Sequence, residues 1–146
     1  MITPKSQARR SAVQAIYQWQ LTGYELNEIE RQFVEEHGIS KGELSYFQDL
    51  LHNVPTRIDV IDAALQEYTN RSIDHIDPVE RAILRISTYE LMEHPEIPYR
   101  VVVNEGINLA KEFGATQSHK FVNGVLDRMA RKFRTVELQT PREAKP

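Results

Sequence analysis

Asp77-Pro78-Val79-Glu80-Arg81-Ala82-Ile83-Leu84-Arg85-Ile86 is the stretch on which the reading of this chain turns. Asp77 suits an N-cap, because its carboxylate can accept the unpaired N–H groups of a first helical turn. Pro78 suits the next position, where a missing N–H costs nothing. Glu80 stands where its side chain can reach back toward the cap. The helix so opened runs to about Met92. It is apolar on two sides, with Val79, Ala82, Ile83 and Ile86 on one and Leu84 and Leu91 on another. Such a helix is either central to a core or carries a second face for a partner, and burial is the commoner cause.

Working outward, the same helical spacing recurs along the chain, and breakers fall between the runs. A first helix spans about Lys5 to Leu21 and ends near Gly23, with Ala8, Ala12, Ala15, Ile16 and Trp19 on one face. A second, near Leu26 to His37, carries Leu26, Ile29 and Phe33 and ends at Gly38. Ser40 followed by Glu43 forms a capping-box pattern, opening a third helix buried along Leu44, Phe47, Leu51 and Val54. Pro55 lacks a donor N–H and interrupts that pattern, so Thr56 is expected to cap a fourth helix built on Ile58, Ile61, Leu65 and Tyr68. Pro98 opens a sixth, which stops at Gly114. Ser118 or Thr116 caps a seventh, which runs to about Phe133. Gly124, in the middle of that helix, costs about 1 kcal/mol relative to alanine and is expected to serve helix packing. Nothing reads as a strand, so the expected class is all-α. Residues 1–136 read as one helical domain, and residues 137–146, polar and proline-containing, as a flexible tail.

The composition fits this reading. A chain of 146 residues, 40% hydrophobic and 27% charged, can bury a core without staples. The absence of cysteine excludes disulfides, thiolate zinc sites and a cysteine nucleophile. No apolar run reaches membrane-spanning length, and the N-terminus has no apolar core of a secretory signal; a cytoplasmic location is expected. The five histidines, His37, His52, His75, His94 and His119, form no i, i+4 pair. HExxH, P-loop, GxSxG and GxGxxG motifs are all missing. Asp74, His75 and Asp77 cluster, but a helix cap accounts for Asp77. The expectation is a binding protein with no catalytic residues, cofactor or metal.

The net charge of −3 argues mildly against a nucleic-acid ligand, but its distribution argues for one. Residues 1–20 hold Lys5, Arg9 and Arg10 and no acid, and residues 119–134 hold Lys120, Arg128, Arg131, Lys132 and Arg134 against Asp127 alone. If the fold brings these ends together, they make a local anion site; otherwise they are solvated surface charge. At 100° per residue, Arg10, Gln14 and Tyr17 lie opposite the alanine face of the first helix. Arginine pairs with phosphate, glutamine reads base edges, and tyrosine offers a stacking platform for an unpaired base. A polar outer face with a tyrosine at its margin explains the same pattern. Ser118-His119-Lys120-Phe121 adds the positive start of a helix with two further donors. Phe113 and Phe121 flank that turn as a second aromatic surface, or as core.

Three segments now carry a resemblance: Ala8-Arg9-Arg10-Ser11-Ala12-Val13-Gln14-Ala15-Ile16-Tyr17-Gln18-Trp19-Gln20-Leu21, the run Pro98-Tyr99-Arg100-Val101-Val102-Val103-Asn104-Glu105 continuing to Lys111-Glu112-Phe113-Gly114, and Ser118-His119-Lys120-Phe121-Val122-Asn123-Gly124-Val125-Leu126-Asp127. With Val79-Glu80-Arg81-Ala82-Ile83-Leu84-Arg85-Ile86 and Tyr89-Glu90-Leu91, they resemble the NusB family of bacterial transcription antitermination factors over nearly the whole chain. The resemblance implies seven helices in two packed sub-bundles. It implies binding of the boxA element of ribosomal RNA transcripts together with ribosomal protein NusE, in a complex with RNA polymerase and other Nus factors that prevents premature termination. The implied RNA-binding residues are Lys5, Arg9, Arg10, Gln14, Tyr17, Glu80, His119, Lys120 and Phe121. The two-sided fifth helix then has one side for the core and one for a partner, and Val79, Glu80, Ile83 and Leu84 are the candidate partner-binding residues. Homodimerisation is left open.

Two departures matter. Many relatives carry a longer arginine cluster before the first helix, where Met1 to Gln7 holds only Lys5. Phosphate neutralisation supplies much of such affinity, so dependence on the partner is expected. Gly106 stands in place of a common alanine and is expected to weaken the sixth helix slightly. Two other functions compete: an RNA-targeting module associated with ribosomal RNA methylation, and a helical adaptor that binds protein only.

Overall fold

A computed structural model describes residues 3–135. Among the described residues are α1 (Pro4–Thr22), α2 (Leu26–Glu36), α3 (Lys41–Thr56), α4 (Ile58–Gln66), a short 3-10 turn (Ile73–His75), α5 (Pro78–Glu93), α6 (Tyr99–Phe113) and α7 (Ser118–Phe133), and no strand. The segment read as a tail, 137–146, lies outside the described residues.

The helix boundaries follow their caps. The Thr3 hydroxyl accepts the N–H of Ser6 at 3.0 Å. Gly23 ends α1 at φ 69°, a left-handed conformation that glycine adopts without steric cost, and its N–H reaches the Trp19 carbonyl at 2.8 Å. Asp77 accepts from Val79 N–H at 3.0 Å and Glu80 N–H at 3.2 Å.

The boundary at Pro55 differs from the expectation. Proline removes one hydrogen bond, and in the last turn of α3 that loss is small, so α3 continues through Pro55 to Thr56. Thr56 does not cap α4. Its hydroxyl donates backward to the His52 and Asn53 carbonyls at 2.9 and 3.2 Å, satisfying the end of α3.

Helices α1, α2 and α3 form one sub-bundle, α4 to α7 form the second, and the α1–α5 contact joins them. Helix α5 is buried without interruption from Ala82 to Leu91. This resolves its two apolar sides: Ile83 and Leu84 are fully buried core residues, not a surface offered to a partner. Both sides of the helix are covered because α3, α4, α6 and α7 join α1 around it.

The two mid-helix glycines exchange roles. A Cβ at Gly106 would lie 2.6 Å from Leu126 Cδ1 and 3.2 Å from Ser87 Oγ, so this glycine lets α6 approach α5 and α7. A Cβ at Gly124 would meet nothing nearer than Arg128 Nη1 at 3.9 Å, so the packing role expected there is absent.

Arginines tie the core at three points. Arg85 pairs with Asp62 at 2.9 and 2.7 Å and donates to Gln20 at 3.0 Å. Arg134, just past α7, is buried and donates to the carbonyls of Leu91, Ile97, Glu90 and His94, closing the C-terminal end of α5. Grouped by sequence with the basic anion site, Arg134 is a structural clamp at the other end of the helix.

Arg9 is the third. It is 2% exposed, and its Nε donates to Glu90 Oε2 at 2.7 Å and Nη1 to Glu105 Oε1 at 3.1 Å. Tyr46 donates its hydroxyl to the same Glu90 oxygen, and the Arg9 guanidinium lies 5.5 Å from the Tyr46 ring centroid. Burial alone would lower the Arg9 pKa, but Glu90, with Tyr46 and Glu105, more than offsets it and holds the guanidinium above its usual value. Burial pushes the Glu90 carboxyl up, opposed by Arg9 and Tyr46.

Candidate nucleic-acid interface

The packing sorts the residues nominated by sequence into three groups. Arg10, Gln14 and Tyr17 run along one outer face of α1. Arg10 is partly exposed and pairs with Glu112 near the end of α6, while its Nη1 donates to Gln7 at 2.9 Å. Gln14 is exposed, and its Nε2 donates to the Arg10 carbonyl at 3.2 Å. Tyr17 is 37% exposed and stands in a surface groove of about 460 Å³ that also touches Val79 and Phe113. The end of α6 and the start of α5 therefore flank this face of α1.

The second group is built on the start of α7. Neither Ser118 nor Thr116 is the N-cap; that position is Gln117. Ser118 is buried and donates its hydroxyl to Glu80 Oε2 at 2.6 Å. Glu80 thus reaches across to α7 rather than back to its own cap. Gly114 makes the turn between α6 and α7 possible, since a Cβ there would lie 2.7 Å from Ser118 Cβ and 2.8 Å from the Ala110 carbonyl oxygen. The Ser118–Glu80 bond joins the start of α7 to the start of α5, next to the Val79 wall of the groove. Ser118→Ala is expected to cost about 1 kcal/mol, the usual net worth of one hydrogen bond, with urea denaturation as the measure.

Beyond that junction, Lys120 and Phe121 line a second, more polar groove of about 380 Å³ with Asn70, Arg71 and Arg128. The Arg71 guanidinium covers the Phe121 ring at 4.5 Å from its centroid. Arg128 stood among the basic residues of 119–134, but Arg71 was not nominated by sequence, because its distance along the chain from Lys120 hid it. His119 is half-buried between the two grooves in sequence order.

The third group lies elsewhere. Arg9 is consumed by Glu90 and Glu105, which corrects its place among the RNA-facing residues: one residue from Arg10, it points into the protein. Lys5 is exposed but sits 5.2 Å from the Tyr46 ring, on the Arg9 side of α1 and away from the Arg10 row. Of the residues expected at a partner surface, Val79 and Glu80 are half-buried beside the grooves, while Ile83 and Leu84 are core. No group of three metal-ligating side chains occurs among the described residues, and no helix there is long and apolar enough to cross a membrane.

Fold and surface together define a class: an all-helical protein whose two sub-bundles meet beneath a band of arginines, carboxamides and partly exposed aromatic rings. The chain belongs to the NusB family, whose model matches residues 6–131. A transcription antitermination protein NusB of Pseudomonas savastanoi pv. phaseolicola is 50% identical over 135 residues, covering 92% of this chain and 82% of that protein. The solved NusB of T. maritima superposes with a TM-score of 0.79 at 30% identity, covering 90% of this chain and 94% of the other. A crystal structure of antitermination factors NusB and NusE in complex with dsRNA contains a chain with TM-score 0.79 and 29% identity, covering 90% of this chain and 99% of that one.

Proposed function

We propose that this chain is a transcription antitermination factor that binds boxA RNA of ribosomal RNA transcripts together with ribosomal protein NusE, acting in the cytoplasm with RNA polymerase and other Nus factors. It works by binding and carries no catalytic residues. The observation that carries this reading is the Glu80–Ser118 bond, which ties the start of α5, beside the groove of Gln14 and Tyr17, to the start of α7, beside the groove of Lys120, Phe121, Arg71 and Arg128. The two grooves offer cations to phosphates and rings to bases, the two contacts that single-stranded RNA recognition combines. A similar chain solved in a complex of antitermination factors NusB and NusE with dsRNA supports RNA and NusE as the two ligands.

The test is titration of a fluorescent boxA RNA with the full chain, with and without NusE, at two salt concentrations. Binding that prefers boxA, tightens with NusE and weakens with salt supports the reading. Absence of sequence preference in both conditions favours a protein-only adaptor. Arg10→Ala is expected to weaken binding and to reduce the salt slope by about 0.7 if one phosphate contact is lost. Glu112→Gln is expected to do the opposite. It releases Arg10 from its internal partner and removes a negative charge from the RNA path.

A further inference from the structure

The groove beside Tyr17 has a wall that the RNA reading above does not use. Helix α2 and the residue after it contribute Phe33 and His37, whose rings stack with centroids 4.1 Å apart and planes 12° from parallel. Phe33 is buried and His37 is exposed, so the histidine extends the apolar wall outward from the core to solvent. Tyr17 and Phe113 line the same groove. We infer that this groove receives one unpaired nucleobase of the bound RNA, with His37 as its outer wall; the inference rests on the RNA reading of the Arg10–Tyr17 face.

Three observations favour a base over an aliphatic side chain of a protein partner. Among the aliphatic Val13, Leu21 and Val79, the groove presents the rings of Tyr17, His37 and Phe113, and a ring face stacks on any base. Its rim carries Gln14 and Gln18, each of which spends a single Nε2 contact inside the protein, on the Arg10 carbonyl and on Gln32 Oε1. Each carboxamide oxygen and second N–H remains for a base edge, and an aliphatic occupant would leave them unmatched. The groove also continues from the Arg10 row, so a backbone held by Arg10 delivers its next bases there. Its volume of about 460 Å³ lies within the range of about 300–1,000 Å³ usual for small organic groups.

The experiment measures binding of full-length His37→Ala, His37→Phe and Arg10→Ala proteins, each with NusE, to three RNAs. These are single-stranded boxA RNA, a set of the same RNA with each base in turn replaced by an abasic ribose, and the corresponding duplex. The expected result is a loss of about five- to tenfold for His37→Ala on the intact single strand, at the lower end of a stacking contact. His37→Phe should retain affinity, and one abasic position should abolish the difference between His37→Ala and the unsubstituted protein. If Arg10→Ala weakens binding and His37→Ala does not, the groove is empty and the RNA reading stands. If neither substitution matters, the RNA reading fails and the groove assignment fails with it. An equal His37 effect on the duplex also overturns the single-base assignment.

Discussion

Arg9→Met lowers the stability of the folded chain by about 3–5 kcal/mol at neutral pH, the cost of stranding a buried charge by removing its partner. That corresponds to a fall of roughly 10–20 °C in Tm for a domain of this size. The reason is the 1% exposure of Glu90, whose carboxylate takes the Arg9 Nε–H at 2.7 Å and the Tyr46 hydroxyl. Methionine fills much of the arginine stem but supplies neither hydrogen bond nor charge. The variant also has a pH signature. Burial already pushes the Glu90 carboxyl up, and removing Arg9 removes the strongest opposing influence. A carboxyl whose folded pKa lies above its unfolded one contributes stability that is fully present below the ordinary value of about 4.3 and lost as pH climbs through the raised value. The deficit of Arg9→Met should therefore be smallest in acid and grow toward neutrality. Urea denaturation of both proteins across pH 4 to 8 measures it. A deficit under about 1 kcal/mol, the worth of an exposed pair, would mean that the charge is not sealed from water.

Tyr17→Ala weakens boxA RNA binding by about 1–3 kcal/mol, roughly 5- to 150-fold, if a base stacks on the ring. Tyr17 is 37% exposed, and its row neighbours Arg10 and Gln14 also reach solvent, so the substitution leaves the core of α1 intact. Tyr17→Phe keeps the ring and should keep most of the affinity. Titration of the two variants against the same RNA, with circular dichroism to confirm equal helix content, separates a stacking contact from a fold defect. Equal affinity for all three proteins would remove Tyr17 from the interface. The two predictions separate cleanly, since Arg9 acts on stability and Tyr17 on binding from directions about 80° apart on one helix.

These two residues mark how far the chain can be read without its fold. Helix starts and stops were legible because caps are local. Asp77, Gly23 and the Ser40–Glu43 pair do in the structure what their spacing implies. The face holding Arg10, Gln14 and Tyr17 was legible because helical geometry places i, i+4 and i+7 together. The all-α class and the family followed from such local patterns summed along the chain.

What remained hidden depends on which helix packs against which. Arg9 and Arg10 are adjacent arginines with identical propensities, turned about 100° apart. One meets a buried Glu90 on α5 and the other an exposed Glu112 on α6. Leu84 looked like a surface residue because its helix has two apolar sides, and five surrounding helices bury both. Gly106 and Gly124 are both mid-helix glycines, but only the first faces Leu126 and Ser87 closely enough to need the missing Cβ. Phe33 and His37 became a wall of the Tyr17 groove only once α2 folded against α1. Backbone hydrogen bonding and side-chain periodicity act within one helix, so one helix's sequence reveals them. Burial, ion pairing and cavities arise between helices, so the assembled fold assigns them.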